Sequence, residues 1–115
     1  MALLSAQDVD SEGAAVTLAA AGATGDTFAN PQERVMLRVV NAAGVARTVT
    51  IAAQSPCNHG FTHDIVQATA NGETWDFGPF DRERFNQSDG TVAVTYSSET
   101  GLTVAAINVV KPPSR

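Results

Sequence analysis

Short segments that alternate apolar and polar residues constrain the fold of this chain more than any other feature. In the segment 34–40, RVMLRVV, the residues Val35, Leu37 and Val39 share one face. Successive side chains of a β-strand point to opposite faces, so this period of two predicts half-buried strands. The same alternation indicates further strands in segments 45–53, 64–70, 73–77 and 91–96.

Two more segments complete a set of about seven predicted strands. Segment 14–21, AAVTLAAA, is rich in alanine, which favours helix, but its valine, its threonine and its glycine-rich flank favour a strand. Segment 101–110 shifts phase at Ala105-Ala106, which predicts either a bulge or a strand buried on both faces. The predicted core consists of Val16, Leu18, Val35, Leu37, Val39, Val49, Ile51, Ile65, Trp75, Phe77, Val92, Val94, Leu102, Val104, Ile107 and Val109.

Turn signals connect these strands and predict two hairpins. The NAAG stretch at 41–44 links segments 34–40 and 45–53, and Asn71-Gly72, a strong hairpin signal, links 64–70 to 73–77. We therefore expect an all-β fold, an antiparallel β-sandwich or small barrel of about seven strands, Ig-like or jelly-roll-like.

The chain of 115 residues has the size of one domain. We expect an extended N-terminal arm at 1–12, a β-sandwich domain at 13–110 and a C-terminal tail at 111–115, where the sequence KPPSR cannot pair as a central strand. The beginning of the sequence has no features of a secretion signal.

Charge is scarce and mostly negative. Charged residues make up 17% of the chain, against about 25% in typical soluble domains, and the formal net charge is −5. No basic patch for nucleic acid or for a membrane surface is present, and no apolar run is long enough to span a membrane. A surface so poor in charge, with so many Ala, Thr and Val residues, predicts a subunit of an assembly.

The segment 55–64, SPCNHGFTHD, collects the residue types of metal sites and catalysts. Cys57, His59 and His63 are candidate metal ligands, and Ser55 with His59 and Asp64 are the residue types of a catalytic triad. All of them lie in one loop, and the chain holds no other Cys or His to join them from a distant strand. We therefore expect a packed loop, no metal, no cofactor and no catalytic site.

The segment 77–86, FGPFDRERFN, holds three phenylalanines and two arginines between strands. Large apolar rings are costly to expose, which leaves two alternatives. Phe80 and Phe85 either cap the sandwich, or form an interface patch with Arg82 and Arg84 at its rim.

The order of these segments, from VVNAAG through TVTIAAQSPCNHGFTHD and NGETWDFGPF to GTVAVTYS and LTVAAINV, resembles a group of small β-rich virion proteins of tailed bacteriophages. The resemblance spans roughly residues 14 to 110 and carries no catalytic residues. It implies a non-enzymatic structural protein, a capsid decoration (cement) protein on the virion surface, made in the host cytoplasm. Its expected partners are the major capsid protein and further copies of itself, with a trimer at local threefold positions as the natural hypothesis.

Three rival functions stay open at this point. A head–tail connector or tail structural protein fits the same pattern, and the Cys57, His59 and His63 loop would suit a small metal-binding sandwich. A carbohydrate-binding sandwich would need Trp75, Tyr96 and the phenylalanines of segment 77–86 to be exposed.

Overall fold

The computed structural model of the protein describes residues 2–9, 13, 15–54 and 64–109. These residues form ten strands and one short helix, α1, at Arg82–Phe85. The strands are β1 (Ala2–Leu4), β2 (Gln7–Val9), β3 (Ala19–Ala20), β4 (Asp26–Ala29), β5 (Val35–Asn41), β6 (Arg47–Ile51), β7 (Ile65–Thr69), β8 (Thr74–Phe77), β9 (Thr91–Tyr96) and β10 (Leu102–Val109).

The strands pack as two sheets in the order of a jelly roll. Sheet I has the order β1-β4-β9-β6-β7, and sheet II has the order β2-β10-β5-β8 with β3 also paired to β10. The pairs β6–β7, β5–β8, β4–β9 and β3–β10 are nested, as in one long hairpin rolled into a sandwich, although β6–β7 and β4–β9 lie in one sheet and the others in the second. The predicted all-β sandwich is confirmed, with jelly-roll strand order.

The sheets are mixed, whereas the sequence predicts antiparallel ones. Strand β1 runs parallel to β4, and β2 runs parallel to β10. Between them the chain passes from sheet I to sheet II within two residues, Ser5 and Ala6. Residues 2–9 of the predicted N-terminal arm thus run along both sheets, and the predicted tail at 111–115 lies outside the described residues.

The alternation in the sequence correctly predicts most of the core. In β5, Val35, Leu37 and Val39 are buried while the residues between them are only half-buried. In β10, four consecutive residues at 104–107 are buried, and the register with β5 is unbroken from Leu102 to Asn108. The phase shift therefore reflects a strand buried on both faces and not a bulge.

Three predicted core residues are wrong. Val16 is half-buried, and Leu18 and Val109 are 38% and 44% exposed. Only Ala19–Ala20 of segment 14–21 forms a strand. The part before it is held by a side chain, because Gln7 exchanges two hydrogen bonds with the backbone of Thr17, at 2.7 and 2.8 Å.

The sequence pattern also misses β4, which carries a fully buried phenylalanine, Phe28. The strand has only four residues, and its inward position before Phe28 is the acidic Asp26, so no apolar alternation marks it. Its place in sheet I comes from pairing with β9, where Phe28 lies opposite Val92.

Both predicted hairpins are wrong, because each turn carries the chain from one sheet to the other. β5 and β8 lie in sheet II, whereas β6 and β7 lie in sheet I. The Asn71-Gly72 turn does form, with the Glu73 N–H bonded to the Ala70 carbonyl at 3.1 Å and Gly72 at a φ of 86°. A local turn signal thus predicts where the chain reverses but not which strand pairs with which.

Asn41 at the end of β5 joins these two crossings. Its fully buried side chain donates hydrogen bonds to the carbonyls of Val45, at 3.0 Å, and Thr69, at 2.9 Å. Its Oδ1 accepts from the Ala43 N–H at 2.8 Å, and its backbone carbonyl accepts from Gly72 at 2.7 Å. One buried side chain therefore bonds to backbone groups of the β5–β6 corner and of β7 together.

We predict that Asn41→Ala lowers the free energy of unfolding by about 2 to 4 kcal/mol, because it removes the three hydrogen bonds of a fully buried side chain. Urea unfolding followed by the fluorescence of Trp75 measures the change. Asn108→Ala is the matched control, since the Asn108 side-chain amide donates to Asp8, which is exposed, and we expect it to change stability by less than about 0.5 kcal/mol. Equal effects of the two substitutions would contradict the role of Asn41.

Candidate functional site

The candidate metal ligands Cys57, His59 and His63 lie outside the described residues, so the metal hypothesis stays untested. Within the described part of the chain, no group of three or more His, Cys, Asp or Glu side chains is placed to hold a metal ion. Asp64 is described, and its Oδ1 accepts a hydrogen bond from the Ala53 N–H at 2.9 Å, which ties the start of β7 to the end of β6.

The two phenylalanines predicted as interface candidates are core residues. Phe80 is 1% exposed and Phe85 is 4% exposed. The Phe80 ring lies 5.5 Å from the ring of Phe28 and 5.5 Å from that of Phe85, the latter in an edge-to-face contact. Burial of such rings stabilises a core, so segment 77–86 caps the sandwich and these rings offer no interface patch.

Arg82 and Arg84, the other interface candidates, lie on α1 above this cap. Arg82 is exposed, and its Nη1 donates to the Pro31 carbonyl at 3.1 Å. The guanidinium of Arg84 lies 4.7 Å from the centre of the Phe85 ring, a cation–π contact. Arg82 thus binds a loop of its own chain and Arg84 contacts its neighbour on α1, and the role of both at an interface stays a prediction.

Asp26 is the fully buried ionisable side chain of the described residues. Its Oδ2 accepts hydrogen bonds from the hydroxyl of Tyr96, at 2.7 Å, and from the N–H of Gly22, at 3.0 Å. Burial, and then the hydrogen bond to Asp26, raise the pKa of Tyr96 well above its ordinary value. The pair joins β4, β9 and the turn at 22–25, and this explains why a carboxylate is retained inside the sandwich.

The aromatic residues that a carbohydrate site would need are only partly exposed. Trp75 and Tyr96 pack against the core. The Trp75 ring stacks on Phe77 with centroids 6.0 Å apart, and its Nε1–H donates to Glu73 at 3.0 Å. The described residues therefore present no open aromatic platform at these two positions, as the inward phase of Trp75 in the sequence indicates.

The outer face of sheet I is the surface that stands out by its chemistry. Val92 and Val94 point inward on β9, as Val49 and Ile51 do on β6, so the residues between them point outward. None of the ten outward positions on the five strands of this sheet carries a charge. We call this surface the threonine face; its residues are Leu3, Thr27, Ala29, Thr48, Thr50, Val66, Ala68, Thr91, Ala93 and Thr95.

The threonine face is continuous across the sheet. Thr50 of β6 lies opposite Thr95 of the central strand β9 on one side and opposite Val66 of β7 on the other. Leu3 and Val66, on the two outermost strands, are 67% and 63% exposed. β-Branched residues suit a pleated surface, so the same residues that form the strands also make this face.

Two acidic residues, Asp64 and Asp89, lie at the border of the threonine face. Asp64 lies directly before β7, and Asp89 lies two residues before Thr91 at the start of β9. The Asp89 carboxylate accepts from the hydroxyl of Thr91, at 2.6 Å, and from its N–H, at 3.0 Å, and these bonds lower the pKa of Asp89. An uncharged centre with a polar rim is the usual composition of a protein–protein interface.

An uncharged face can be removed from water at low cost. Burying an unpaired charge costs several kcal/mol, whereas threonine hydroxyls need only one hydrogen-bond partner each. The leucine, valine and alanine side chains between them gain about 25 cal/mol per Å² of apolar surface buried. The arrangement therefore favours contact with another macromolecule, and none of its ten residues is an ionisable acid or base.

The outer face of sheet II is a second, less uniform surface. Two adjoining grooves of about 320 and 380 Å³ share Met36 and Val109. Ile107 lines one of them, together with Arg38 and Asp76, whose side chains form an ion pair at 2.8 Å. A partner that covered this face would have to desolvate two charges, so the threonine face is the better candidate.

Comparisons of the chain with protein-family models, with curated proteins and with solved structures give no match. Among the described residues, no helix combines the length and the apolar character needed to cross a membrane.

The composition of the sequence predicts a surface that is poor in charge, but it does not predict where in the fold that surface lies. The low charge content and the abundance of Ala, Thr and Val indicate an interface. The outward phase of Thr48, Thr50 and Thr95 could be derived from the alternation of β6 and β9. What the sequence does not give is that these strands are neighbours in one sheet, which turns separate threonines into one face.

We predict that the phenol of Tyr96 keeps its proton above the ordinary tyrosine pKa of about 10, as long as the protein stays folded. The unfolded chain loses this proton at about that pH and so binds fewer protons, which means that stability falls as the pH rises further. The chain has a single tyrosine, so ultraviolet absorbance of the phenolate and circular dichroism, followed together, should change in one step. A phenolate that forms near pH 10 in a folded protein would contradict the buried Asp26 contact.

Proposed function

We propose that this protein is a capsid decoration (cement) protein, a non-enzymatic structural component that binds the outer surface of a phage head. The observation that supports the proposal most is the charge-free threonine face across five strands of sheet I. The resemblance of segments 14–110 to small virion proteins of tailed phages supports the same class of function.

The threonine face would lie against the major capsid protein. A face without charge can be fully desolvated on a shell made of repeated subunits, and Asp64 and Asp89 at its border would then contact polar or basic groups of the lattice. Binding to the assembled shell, and not to its dissociated subunits, stabilises the shell by mass action.

The charge of the chain suits an outer position. With a formal net charge of −5, the protein is repelled by nucleic acid, so it would not be retained on packaged DNA. The jelly-roll sandwich holds its outward positions on paired strands, and such rigid surfaces lose little conformational entropy on binding.

A head–tail connector or tail structural protein would use a charge-free face in the same way. Copy number per virion distinguishes the two functions, because a shell protein is present in hundreds of copies and an axial protein in about six or twelve. Quantitative mass spectrometry of purified virions gives this number, and a count of about twelve or fewer would contradict the decoration role.

We predict that Thr95→Lys at the centre of the threonine face weakens binding to heads that lack the protein at least about tenfold, because it places an unpaired ammonium in the interface. Co-sedimentation with such heads measures the affinity. Thr74→Lys is the matched control, since Thr74 is exposed on β8 of the other sheet and should leave binding unchanged.

Heads that carry the wild-type protein should also resist heating better than heads mixed with Thr95→Lys. Release of DNA on heating, detected with a fluorescent dye, measures this resistance. If Thr95→Lys bound to heads as tightly as the wild-type protein and gave them the same heat resistance, the assignment of the threonine face as the docking surface would be contradicted.

A further inference from the structure

The outer edge of β7 carries backbone groups that no other strand of the described chain pairs. β7 is the last strand of sheet I and bonds only to β6 within the described chain. We propose that this edge pairs with β7 of a second copy in antiparallel orientation, which joins two molecules through one continuous sheet. The proposal concerns self-association and does not rest on binding to phage heads.

The hydrogen bonds of β6 show which groups of β7 face outward. The N–H of Ser97 bonds to the Thr48 carbonyl at 2.9 Å, and the N–H of Ala52 bonds to the Ala93 carbonyl at 3.0 Å. Even-numbered residues of β6 therefore direct their backbone groups to β9, and odd-numbered residues direct theirs to β7.

In β7, the residues opposite odd-numbered β6 residues are Ile65, Gln67 and Thr69. These three bond to β6, so the N–H and C=O groups of Val66 and Ala68 point to the open edge. The side-chain amide of Gln67 donates to the Ala68 carbonyl at 2.9 Å. A side chain that folds back in this way satisfies one edge carbonyl in the absence of a neighbouring strand.

Among the residues that the structure describes, the edge of β7 lacks the features by which soluble proteins prevent such pairing. Natural edge strands are usually very short, or carry lysine, proline or a bulge. β7 has five residues, Ile-Val-Gln-Ala-Thr, with no charge, no proline and an unbroken register with β6. The edge strand β8 of sheet II, in contrast, carries Asp76 in an ion pair with Arg38, and β1 and β2 have three residues each.

A second copy of this chain is the partner that fits the edge of β7 best. Pairing about a twofold axis at Gln67 places Val66 opposite Ala68 of the second copy, and the outward groups form four hydrogen bonds. A large side chain then lies beside a small one on the threonine face. The two Asp64 carboxylates lie at opposite ends, about 20 Å apart at about 3.4 Å per residue, which is beyond the screening length at physiological salt.

Sedimentation velocity of the purified protein over a range of concentrations tests the pairing, with Val66→Pro and Thr74→Pro as matched variants. Proline at position 66 removes an N–H that faces the open edge and spares the ladder to β6. Proline at 74 removes a comparable N–H from β8, because the bond from the Asn41 N–H to the Glu73 carbonyl places Thr74 in the outward phase. We expect wild type and Thr74→Pro to sediment as dimers, and Val66→Pro to need at least about tenfold higher concentration to dimerise.

Hydrogen exchange provides a second measurement that identifies the strand. The amides of Val66 and Ala68 should become protected as the concentration rises, while the amide of Gln67 should be protected at every concentration. Ala68→Lys keeps both N–H groups but adds a charge opposite Val66 of the second copy; it tests the pairing if Val66→Pro does not fold, and should likewise weaken dimerisation. A wild-type protein that stays monomeric, a trimer, or a dimer unaffected by Val66→Pro or Ala68→Lys would overturn the proposal.

Discussion

The buried side chain of Asn41 holds together the places where this chain leaves one sheet for the other. The β5–β6 corner and the end of β7 meet at its amide, through the carbonyls of Val45 and Thr69. Because both turns cross between the sheets, β5 pairs with β8 and β6 pairs with β7, and the nested order of the jelly roll follows. The same order places β7 and β8 at the edges of the two sheets within the described residues.

The sequence predicts the strands and the inner face well, because both depend on local alternation. Val35, Leu37 and Val39 are buried as their period of two indicates. Strand partners are not local: the Asn71-Gly72 turn forms, yet β7 and β8 separate, since packing of the two sheets outweighs hairpin pairing. The sequence does not indicate β4 for a related reason. Its inward residue Asp26 is acidic, and the burial of Asp26 depends on Tyr96, which is 70 residues away in the chain.

The sequence predicts an interface, but at other residues than those of the threonine face. Low charge content indicates an interface, but the residues chosen for it, Phe80 and Phe85, are inside the cap of the sandwich. Aromatic rings near arginines are typical both of interface anchors and of core edges. The two cases differ in whether α1 turns the rings towards the core or towards solvent, which the sequence does not show. The threonine face has no such signal in any single segment, because each strand contributes only one to three of its residues.

The threonine face and the β7 edge share Val66, so the proposed docking and the proposed self-association would be physically linked. Pairing through β7 would place two threonine faces side by side in a sheet of twice five strands. Two linked faces bind a repeated lattice more tightly than one, since the second contact forms at a high effective concentration. The gain depends on geometry, because both faces must meet lattice sites at the same spacing. A twisted sheet fixes that spacing, so pairing through β7 would select the lattice positions at which a dimer can bind with both faces.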